Sequence, residues 1–417
     1  MESGGTIVTT SYKWKFKAGM RARSYSWHGS QKAIARLKGA VSEIKAVAKS
    51  DPVAAGEGCV SLMERIWPAF EQIDTSSGAL GSAVARALED LLPLLISTPA
   101  EQKVRARWLE RLYQAILDDG VQYLYPVEQR FGEVAIYRDL MRGYADQLLP
   151  MLREAWVQQD RYIHVAGTAV CLSCLLEAER YDELQDLLRL KSDRHWNWQC
   201  FGAEAFLRQG KPEAALERAE RVRTAQIQSH DHQQIDRFCE GVLIAAERRD
   251  EAYRLYGLRS AGAATFLATY RSVVNTYPER DKRQVLLDLI EVRGDKGKWF
   301  AAAKDSGFLD IALDCAAQRG VEPETLVRAA RDFRDKEPRF AATVALQAIS
   351  HLFAGYGYEP RVSMAEDAAR YLHDAAVLLG KTGWARQTLE SLVLGDCAID
   401  REMFRQSVKR IMPMFDE

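Results

Sequence analysis

Two cysteines one helical turn apart are the first residues in this sequence whose types and spacing suggest chemistry. Cys171 and Cys174 form a Cys-x-x-Cys motif, a spacing that suits a metal-binding pair or a redox dithiol. A zinc site needs two further ligands, and the nearest candidates, His164 and Cys200, offer no second close pair. The residues around the motif are mostly apolar, so we interpret both thiols as buried structural side chains of a core helix.

A second candidate for metal binding is centred on two histidines. His230 and His232 flank an aspartate, and Asp236 and Cys239 follow shortly after. The glutamines on both sides of this segment are typical of an exposed loop that leads into a helix. We therefore predict an inter-helix loop here, with no metal and no cofactor.

Motifs of known catalytic sites are missing from the sequence. Residues 294–299 contain two glycines and two lysines. They lack the residue spacing of a Walker loop and the Ser or Thr that follows its lysine. There is no Gly-x-Ser-x-Gly and no His-Glu-x-x-His. The sequence therefore predicts no catalytic residues, and an active site assembled from scattered side chains stays open as a third alternative.

The strongest functional pattern is an arm, residues 1–29, in which aromatic and basic side chains alternate. An extended chain would place the rings of Tyr12, Trp14 and Phe16 on one face and the intervening lysines on the other. In one alternative, Trp14 and Phe16 pack on the first helices while the lysines face water or acidic groups. In the other, the arm grips a phosphate backbone and its rings stack on bases. The residues of this nucleic-acid hypothesis are Lys13, Trp14, Lys15, Lys17, Arg21, Arg23 and Trp27.

Two aromatic loops between predicted helices supply candidate binding residues. One contains Trp196 and Trp198, and the other contains Tyr356 and Tyr358. Rings at such positions can line a groove and anchor a peptide. Equally, they can be the buried corners of irregular repeats.

The elements that must position these residues are helices. Apolar residues recur three and four positions apart through most of the 417 residues, as in Leu37, Val41 and Ile44, and only 12 residues are proline. No run of alternating β-branched residues suggests a sheet, so the sequence predicts an all-α fold. No apolar run is long enough for a membrane span, the start lacks a secretory pattern, and seven cysteines fit a reducing compartment. We expect a cytoplasmic protein that binds no membrane.

Helix–turn–helix segments recur in the middle and C-terminal parts of the chain. Their predicted turns are at Arg180, Gly210, Arg248 and Gly307, and a weaker fifth turn is at Gly383. The first three intervals are 30, 38 and 59 residues, around and beyond the roughly 34 residues of a tetratricopeptide unit. This spacing predicts an irregular α-solenoid of tetratricopeptide-like helix pairs that follows the extended basic and aromatic arm.

Five segments, at residues 15–24, 167–176, 297–304, 326–333 and 355–359, carry a resemblance to known proteins. From Tyr12 to its end, the chain resembles a family of uncharacterised bacterial helical-repeat proteins of the tetratricopeptide-like kind. The resemblance implies that the arm and the helical repeats belong together as one unit. It transfers no activity, because the family has none assigned.

Together these patterns predict four segments. They are the arm at 1–29, an N-terminal helical region at 30–158, tetratricopeptide-like repeats at 159–320 and a C-terminal helical region at 321–417. Since a repeat fold is a binding surface and brings no reaction of its own, we expect a non-enzymatic scaffold that holds a protein or peptide in a groove. The alternative is a nucleic-acid-binding protein that uses the arm. Residues 1–50 carry a net charge of +8 against −9 for the rest of the chain, which suggests either that this basic segment docks on the acidic body or that it has a local anionic partner.

Overall fold

Helices form all the regular secondary structure in the described part of the chain. The computed structural model describes residues 12–157, 165–190, 195–225 and 231–416, and within these ranges it contains no β-strand. The predicted all-α fold is confirmed at this level. The chain divides into two compact units, Met1–Ser229 and His230–Glu417, and each is described by itself below.

The first unit contains, within the described residues, a short 3-10 helix at Phe16–Gly19 and the helices α1 to α11. These are α1 (Ser30–Ala48), α2 (Pro52–Phe70), α3 (Ala79–Ser97), α4 (Gln102–Asp118), α5 (Tyr125–Gln129), α6 (Phe131–Ala135), α7 (Arg138–Val157), α8 (Thr168–Glu177), α9 (Tyr181–Arg189), α10 (Trp196–Arg208) and α11 (Pro212–Ala225). Helix α1 packs on α2 and α3 through its predicted stripe of Leu37, Val41 and Ile44, all of which are buried. Helix α7 packs on α8, and α10 on α11.

The second unit contains α12 to α23 within the described residues. These are α12 (His232–Ala245), α13 (Arg249–Ala252), α14 (Leu258–Ser260), α15 (Phe266–Thr276), α16 (Lys282–Arg293), α17 (Phe300–Asp305), α18 (Leu309–Ala316), α19 (Pro323–Phe333), α20 (Pro338–Phe353), α21 (Val362–Leu379), α22 (Thr382–Leu394) and α23 (Glu402–Ile411). A π-helical turn, Tyr253–Gly257, joins α13 to α14, and short 3-10 helices lie at Lys296–Trp299, Ile399–Arg401 and Met412–Asp416. Helices α19, α20 and α21 pack on one another and form the core of this unit.

One turn geometry recurs at six helix ends among the described residues. In each turn a residue with left-handed backbone follows the helix, and its amide and the next one donate to carbonyls of the last helical turn, which is the Schellman arrangement. The amide of Arg180 donates to the Leu175 carbonyl at 2.9 Å, and that of Arg248 to the Leu243 carbonyl at 2.9 Å. The six left-handed residues are Glu179, Gly210, Glu247, Gly307, Gly355 and Gly380.

The predicted turn positions agree with this pattern in most places. Gly210 and Gly307 are the left-handed residues themselves, and Arg180 and Arg248 each follow a left-handed glutamate directly. The fifth prediction is wrong, because Gly383 lies inside α22 and the turn is at Gly380. A continuous α-solenoid of tetratricopeptide-like pairs stays a prediction.

An arginine closes two of these turns in the same way. The segment Glu-Arg-x-Asp-Glu occurs at residues 179–183 and again at 247–251. Arg180 donates two hydrogen bonds to the Glu183 carboxylate at 2.6 and 2.8 Å, and Arg248 donates two to Glu251 at 2.8 Å each. Each pair links the residue before a helix to its first turn, so the same five residues build the same helix start twice.

The boundaries of the four predicted segments differ from the division into two units, which falls between residues 229 and 230. The first helix begins at Ser30, directly after the predicted arm. The predicted boundary between residues 158 and 159 lies outside the described residues. The four-segment division therefore stays a prediction.

Candidate functional site

The described part of the arm, residues 12–29, packs against α1 and α2 of the first unit. Trp14 and Phe16 are buried, which agrees with the packing alternative for these two rings, and Tyr25 is buried beside Phe70. The extended conformation predicted for residues 10–17 is wrong from Phe16 onward, because Phe16–Gly19 forms a 3-10 helix. Residues 10 and 11 lie outside the described residues.

Side chains of α1 and α2 fix this conformation. The Glu43 carboxylate accepts hydrogen bonds from the backbone amides of Lys15 at 2.8 Å and Phe16 at 3.1 Å, so it caps the start of the 3-10 helix. The Trp14 ring packs directly on Gly58, where a Cβ atom would lie 2.3 Å from ring atom Cζ2. The arm therefore belongs to the core of the first unit through its rings.

The nucleic-acid hypothesis loses part of its chemistry in this arrangement. The structure exposes Lys13, Lys15, Arg21, Arg23 and Trp27, partly exposes Lys17 and buries Trp14. A buried ring cannot stack on a base, so Trp27 is the one tryptophan of this set that can act as a stacking platform. The cations remain at the surface.

The aromatic loop predicted in the first unit is wrong, because Trp196 and Trp198 are the first and third residues of α10. Both rings are packed more tightly than a binding tip requires. Trp196 is the first residue of α10 and is 4% exposed, so it does not fit the role of a surface anchor. Trp198 is half-buried, with its ring centroid 5.2 Å from that of Trp156 and 4.8 Å from that of His195. Sequence alone did not separate these two tryptophans, because both have the same loop-like surroundings.

The aromatic loop of the second unit is more open. Tyr358 is 84% exposed. Tyr356 is half-buried, with the ring of His351 edge-on at 5.5 Å and the guanidinium of Arg319 over its face at 5.5 Å. These two tyrosines therefore combine an exposed ring with a neighbouring ring that is held in place.

Three inter-helix loops meet around these tyrosines, and we call them the loop edge: residues 317–322, 354–361 and 395–401. The amide of Tyr358 donates to the Glu322 carboxylate at 3.1 Å, which joins the first two loops. The amide of Ala398 donates to the Phe353 carbonyl at 2.9 Å, and a Cβ on Gly355 would lie 3.6 Å from that of Ala398. Helices α18 to α23 thus bring together loops that are far apart in the sequence.

Apolar side chains project from the loop edge and from the helix ends beside it. Ile399 is 100% exposed, Leu394 is 85% exposed at the end of α22, and Met403 is 70% exposed at the start of α23. Sequence reasoning missed all three. The available signal was an apolar residue at a helix end or in a turn, where polar residues are usual.

A cavity of about 160 Å³ in the first unit contains two carboxylates. Burial raises the pKa of Asp119 and of Glu128, and hydrogen bonds from backbone amides oppose this rise. Asp119 accepts from the Leu124 amide at 2.7 Å, and Glu128 accepts from the Ala169 amide at 3.0 Å, at the start of α8. Both carboxylates cap backbone amides, and this structural role explains why they are buried without assigning them a catalytic one.

A second cavity, of about 230 Å³, lies in the second unit beside the π-helical turn. Glu240 lines it and accepts hydrogen bonds from the hydroxyls of Ser260 and Tyr277. Arg237 donates to the Ser260 carbonyl at 3.1 Å. Both oxygens of the Glu240 carboxylate thus accept hydrogen bonds from hydroxyls. The Ser260 hydroxyl has no histidine or lysine among its described hydrogen-bond partners that could activate it as a nucleophile.

The cysteine and histidine candidates show no metal-binding arrangement. Cys171 and Cys174 are buried in α8, where burial raises the pKa of the Cys171 thiol to about 12 and that of Cys174 well above its usual range. His230 lies outside the described residues, and His232 is the first residue of α12. In the part of the chain that the structure describes, no group of His, Cys, Asp and Glu side chains could hold a metal ion.

Comparisons with known proteins identify no relative. No protein-family model matches the chain, and no curated protein matches it. Among solved structures, the chain is similar to a protein described as a circular tandem repeat protein with novel repeat topology and enhanced subunit contact surfaces. The identity is 13% and the TM-score 0.20, over 93% of this chain and 88% of the other, and a score this low supports no conclusion. No family and no bacterial origin is shown.

Among the described residues, every helix is too short or too polar to cross a bilayer.

Proposed function

We propose that this protein is an interaction scaffold that binds a protein or peptide partner through the loop edge of its second unit. The observation that carries the proposal is the exposure of Ile399, Leu394, Met403 and Tyr358 around three joined loops. Large apolar side chains gathered on a surface are typical of interaction sites. The proposal assigns the chain no catalytic step.

Burial of these side chains would supply the affinity. Each large apolar side chain that leaves water contributes about 1.5–3 kcal/mol. Tyr358 offers both a ring and a hydroxyl, a combination common in residues that dominate binding energy. Its neighbour Tyr356 is held by His351 and Arg319, so the site is partly ordered before the partner binds.

Charged side chains around the apolar group favour a polypeptide partner. Arg319, Glu322 and Asp400 are exposed on the loop edge and Arg401 is partly exposed. An apolar centre with a rim of both charges is the composition of protein interfaces. A peptide with apolar anchors and polar flanks would match it.

Site-specific photo-crosslinking tests the proposal. A photoreactive phenylalanine analogue replaces Tyr358, and the matched control carries it at Arg254, an exposed residue outside the loop edge. We expect a defined crosslinked polypeptide from the source cells with the analogue at residue 358 and none at residue 254. Equal yields at both positions would contradict the proposal.

A pair of substitutions that each introduce a carboxylate provides the second test. Ile399→Asp should remove the crosslinked polypeptide, because a carboxylate in the apolar centre would be buried without a partner. Leu255→Asp is the control, since Leu255 is also an exposed apolar residue of the second unit but lies outside the loop edge. A polypeptide that survives Ile399→Asp would show that the loop edge is not its binding site.

A further inference from the structure

The N-terminal layer of the first unit carries an excess of positive charge at its surface. Residues 12–50 contain ten Lys and Arg residues and one acidic residue, Glu43. Two of the ten form ion pairs, Arg23 with Glu71 at 3.7 Å and Lys45 with Asp90 at 3.0 Å. The other eight side chains form no ion pair with a described residue.

Glu43 forms no ion pair with its described basic neighbours. Its two carboxylate oxygens accept hydrogen bonds from the backbone amides of Lys15 and Phe16. This one acidic side chain offsets only one of the ten positive charges of residues 12–50. The lysine side chains around it face outward, and Lys13 and Lys15 are exposed.

The exposed face of α1 has a strip of small residues between two rows of cations. The strip consists of Ala35, Gly39, Ser42 and Ala46, all exposed, and a Cβ on Gly39 would meet nothing within 4 Å. At 3.6 residues per turn, one row lies on each side of the strip. The rows are Lys38, Lys45 and Lys49 on one side and Lys32 and Arg36 on the other.

The arm extends the second of these rows. Arg36 lies over the ring of Tyr25 at 5.6 Å and against Gly19, so the arm packs along its side of α1. The arm cations Lys13, Lys15, Lys17 and Arg21 therefore continue the positive surface on that side. We call the arm cations and the exposed face of α1 together the basic face.

We propose that the basic face binds the phosphate backbone of double-stranded nucleic acid. Lysine side chains are flexible point charges that suit phosphate, and the strip of small residues lets a backbone approach α1 closely. The row from Lys38 to Lys49 is about 17 Å long at 1.5 Å per residue. That length corresponds to about five phosphates of one strand at 3.4 Å each.

The same surface suits other anionic polymers less well. Single-stranded nucleic acid is usually held by several exposed rings, and here Trp14 and Phe16 are buried, which leaves Tyr12 and Trp27 as the exposed rings in the described part of the arm. An acidic peptide gains most of its affinity from apolar anchors, and the strip on α1 has only small side chains to receive them. Contacts to the phosphate backbone of a duplex need neither exposed rings nor apolar anchors, and they do not depend on the base sequence.

Fluorescence anisotropy with the full chain tests this proposal. The probes are short labelled DNA and RNA duplexes, which share the backbone chemistry, and labelled single-stranded DNA and poly-glutamate for the other partners. With about five or six phosphates neutralised, the affinity for a duplex should fall by about 10³-fold between about 50 and 200 mM salt. Equal affinity for the DNA and RNA duplexes would show that the phosphate backbone alone is recognised. A higher affinity for one of them would show which nucleic acid is the ligand.

Charge reversal locates the site. The test variant combines Lys32→Glu, Lys38→Glu and Lys49→Glu. The control variant combines three substitutions of exposed cations of the second unit, Arg254→Glu, Arg271→Glu and Arg339→Glu. Both variants change the net charge equally, and unchanged thermal melting shows that they fold. We expect the test variant to bind a duplex at least about 100-fold more weakly. The slope of the logarithm of the affinity against the logarithm of the salt concentration should become less steep by about three. The control should stay within about twofold of the natural chain.

Four outcomes would overturn the proposal. They are no duplex binding at low salt, equal loss in the test and control variants, tighter binding of poly-glutamate than of a duplex, and tighter binding of single strands than of a duplex. The third would make the basic face a site for acidic proteins, and the fourth would restore a stacking role for exposed rings such as Trp27.

Discussion

Gly39 and Gly58 lie inside neighbouring helices, yet their surroundings differ. A Cβ on Gly39, in α1, would meet no atom within 4 Å, whereas one on Gly58, in α2, would lie 2.3 Å from the Trp14 ring. The first glycine therefore leaves α1 more flexible than an alanine would. The second makes room for the arm.

The same substitution should have opposite effects at these two positions. Gly39→Ala should raise the free energy of unfolding by about 0.5–1 kcal/mol, because alanine loses less backbone freedom on folding. Gly58→Ala should lower it by about 1–3 kcal/mol, because the added methyl group displaces Trp14. Urea unfolding of both variants measures the difference. If both glycines respond with the same sign, the contact between Trp14 and α2 is not as described.

His351 is a buried histidine of α20, beside Tyr356 of the loop edge. Its side chain is 5% exposed, and its Nδ1 atom has no hydrogen-bond partner among the described residues. Burial lowers its pKa, and a hydrogen bond with the Val321 backbone opposes this only partly. The folded protein therefore favours the neutral ring.

The sign of the resulting pH dependence follows from linkage. The unfolded chain binds a proton near the ordinary histidine pKa, but the folded chain resists it, so this contribution to stability is present above about pH 6.5 and lost as the pH falls. The loss has a slope of at most about 1.4 kcal/mol per pH unit. His351→Gln should flatten the fall between about pH 7 and 5, relative to the natural chain. The control His28→Gln replaces an exposed histidine and should leave the fall in stability unchanged.

Among the elements, the Schellman turns show how one local geometry is reached by different residues. The turn after α10 has Gly210 at φ 70°, and the turn after α12 has Glu247 at φ 59°. Both residues are exposed. Only the glutamate carries a Cβ atom, which crowds the following carbonyl in this backbone region.

Exchanging the two residue types should therefore change stability in opposite directions. Glu247→Gly should raise the free energy of unfolding by about 0.5–1 kcal/mol, since relief of the left-handed strain exceeds the cost of added flexibility. Gly210→Glu should lower it by about 1 kcal/mol. Chemical denaturation of both variants provides the measurement. Destabilisation by Glu247→Gly would mean that its side chain makes a contact that outweighs the backbone strain.

Element boundaries were predictable where the cause is local, and were missed where it is distant. The helix start at Ser30 and the turns at Gly210 and Gly307 depend on nearby residues, so the sequence indicates them. The 3-10 helix at Phe16–Gly19 depends on Glu43, which is 27 residues from Phe16. Alternation alone predicted an extended arm there, because it contains no information about that carboxylate.

At the scale of the whole molecule, seven cysteines report how the chain is packed. Five of them are buried: Cys59, Cys171, Cys174, Cys239 and Cys315. Burial raises the pKa of Cys59 and Cys171 to about 12 and that of Cys315 to about 11. Cys200 and Cys397 are partly exposed. Thiolate, the reactive form, is therefore scarce in the folded chain.

Thiol labelling should count these two classes. In the folded protein at neutral pH, a disulfide reagent should modify at most two thiols per chain rapidly, and Cys200→Ser with Cys397→Ser should remove that fast phase. In denaturant all seven should react in the natural chain. Rapid modification of three or more thiols in the folded protein would contradict the packing around α2, α8, α12 or α18, which contain the buried cysteines.

The candidate binding site was predictable only in part, for a reason that concerns the whole fold. Trp196 and Tyr358 each lie two residues from a second aromatic residue in a segment predicted as a loop, and both were candidates. Whether such a ring is covered depends on distant helices, and here one is buried and the other is exposed. Ile399 is the reverse case, since an isoleucine is expected in the core and this one is fully exposed at the start of a 3-10 helix.

The contact between Trp14 and Gly58 also constrains how this protein can evolve. A large ring at residue 14 is compatible only with a residue at position 58 that has no side chain, because the ring occupies the place of its Cβ atom. Neither position can drift alone without a loss of packing. Among natural relatives we expect the two positions to covary, with bulk at 58 accompanied by a smaller residue at 14. Selection on the arm would then be visible as correlated substitution, even in lineages that have lost its positive charge.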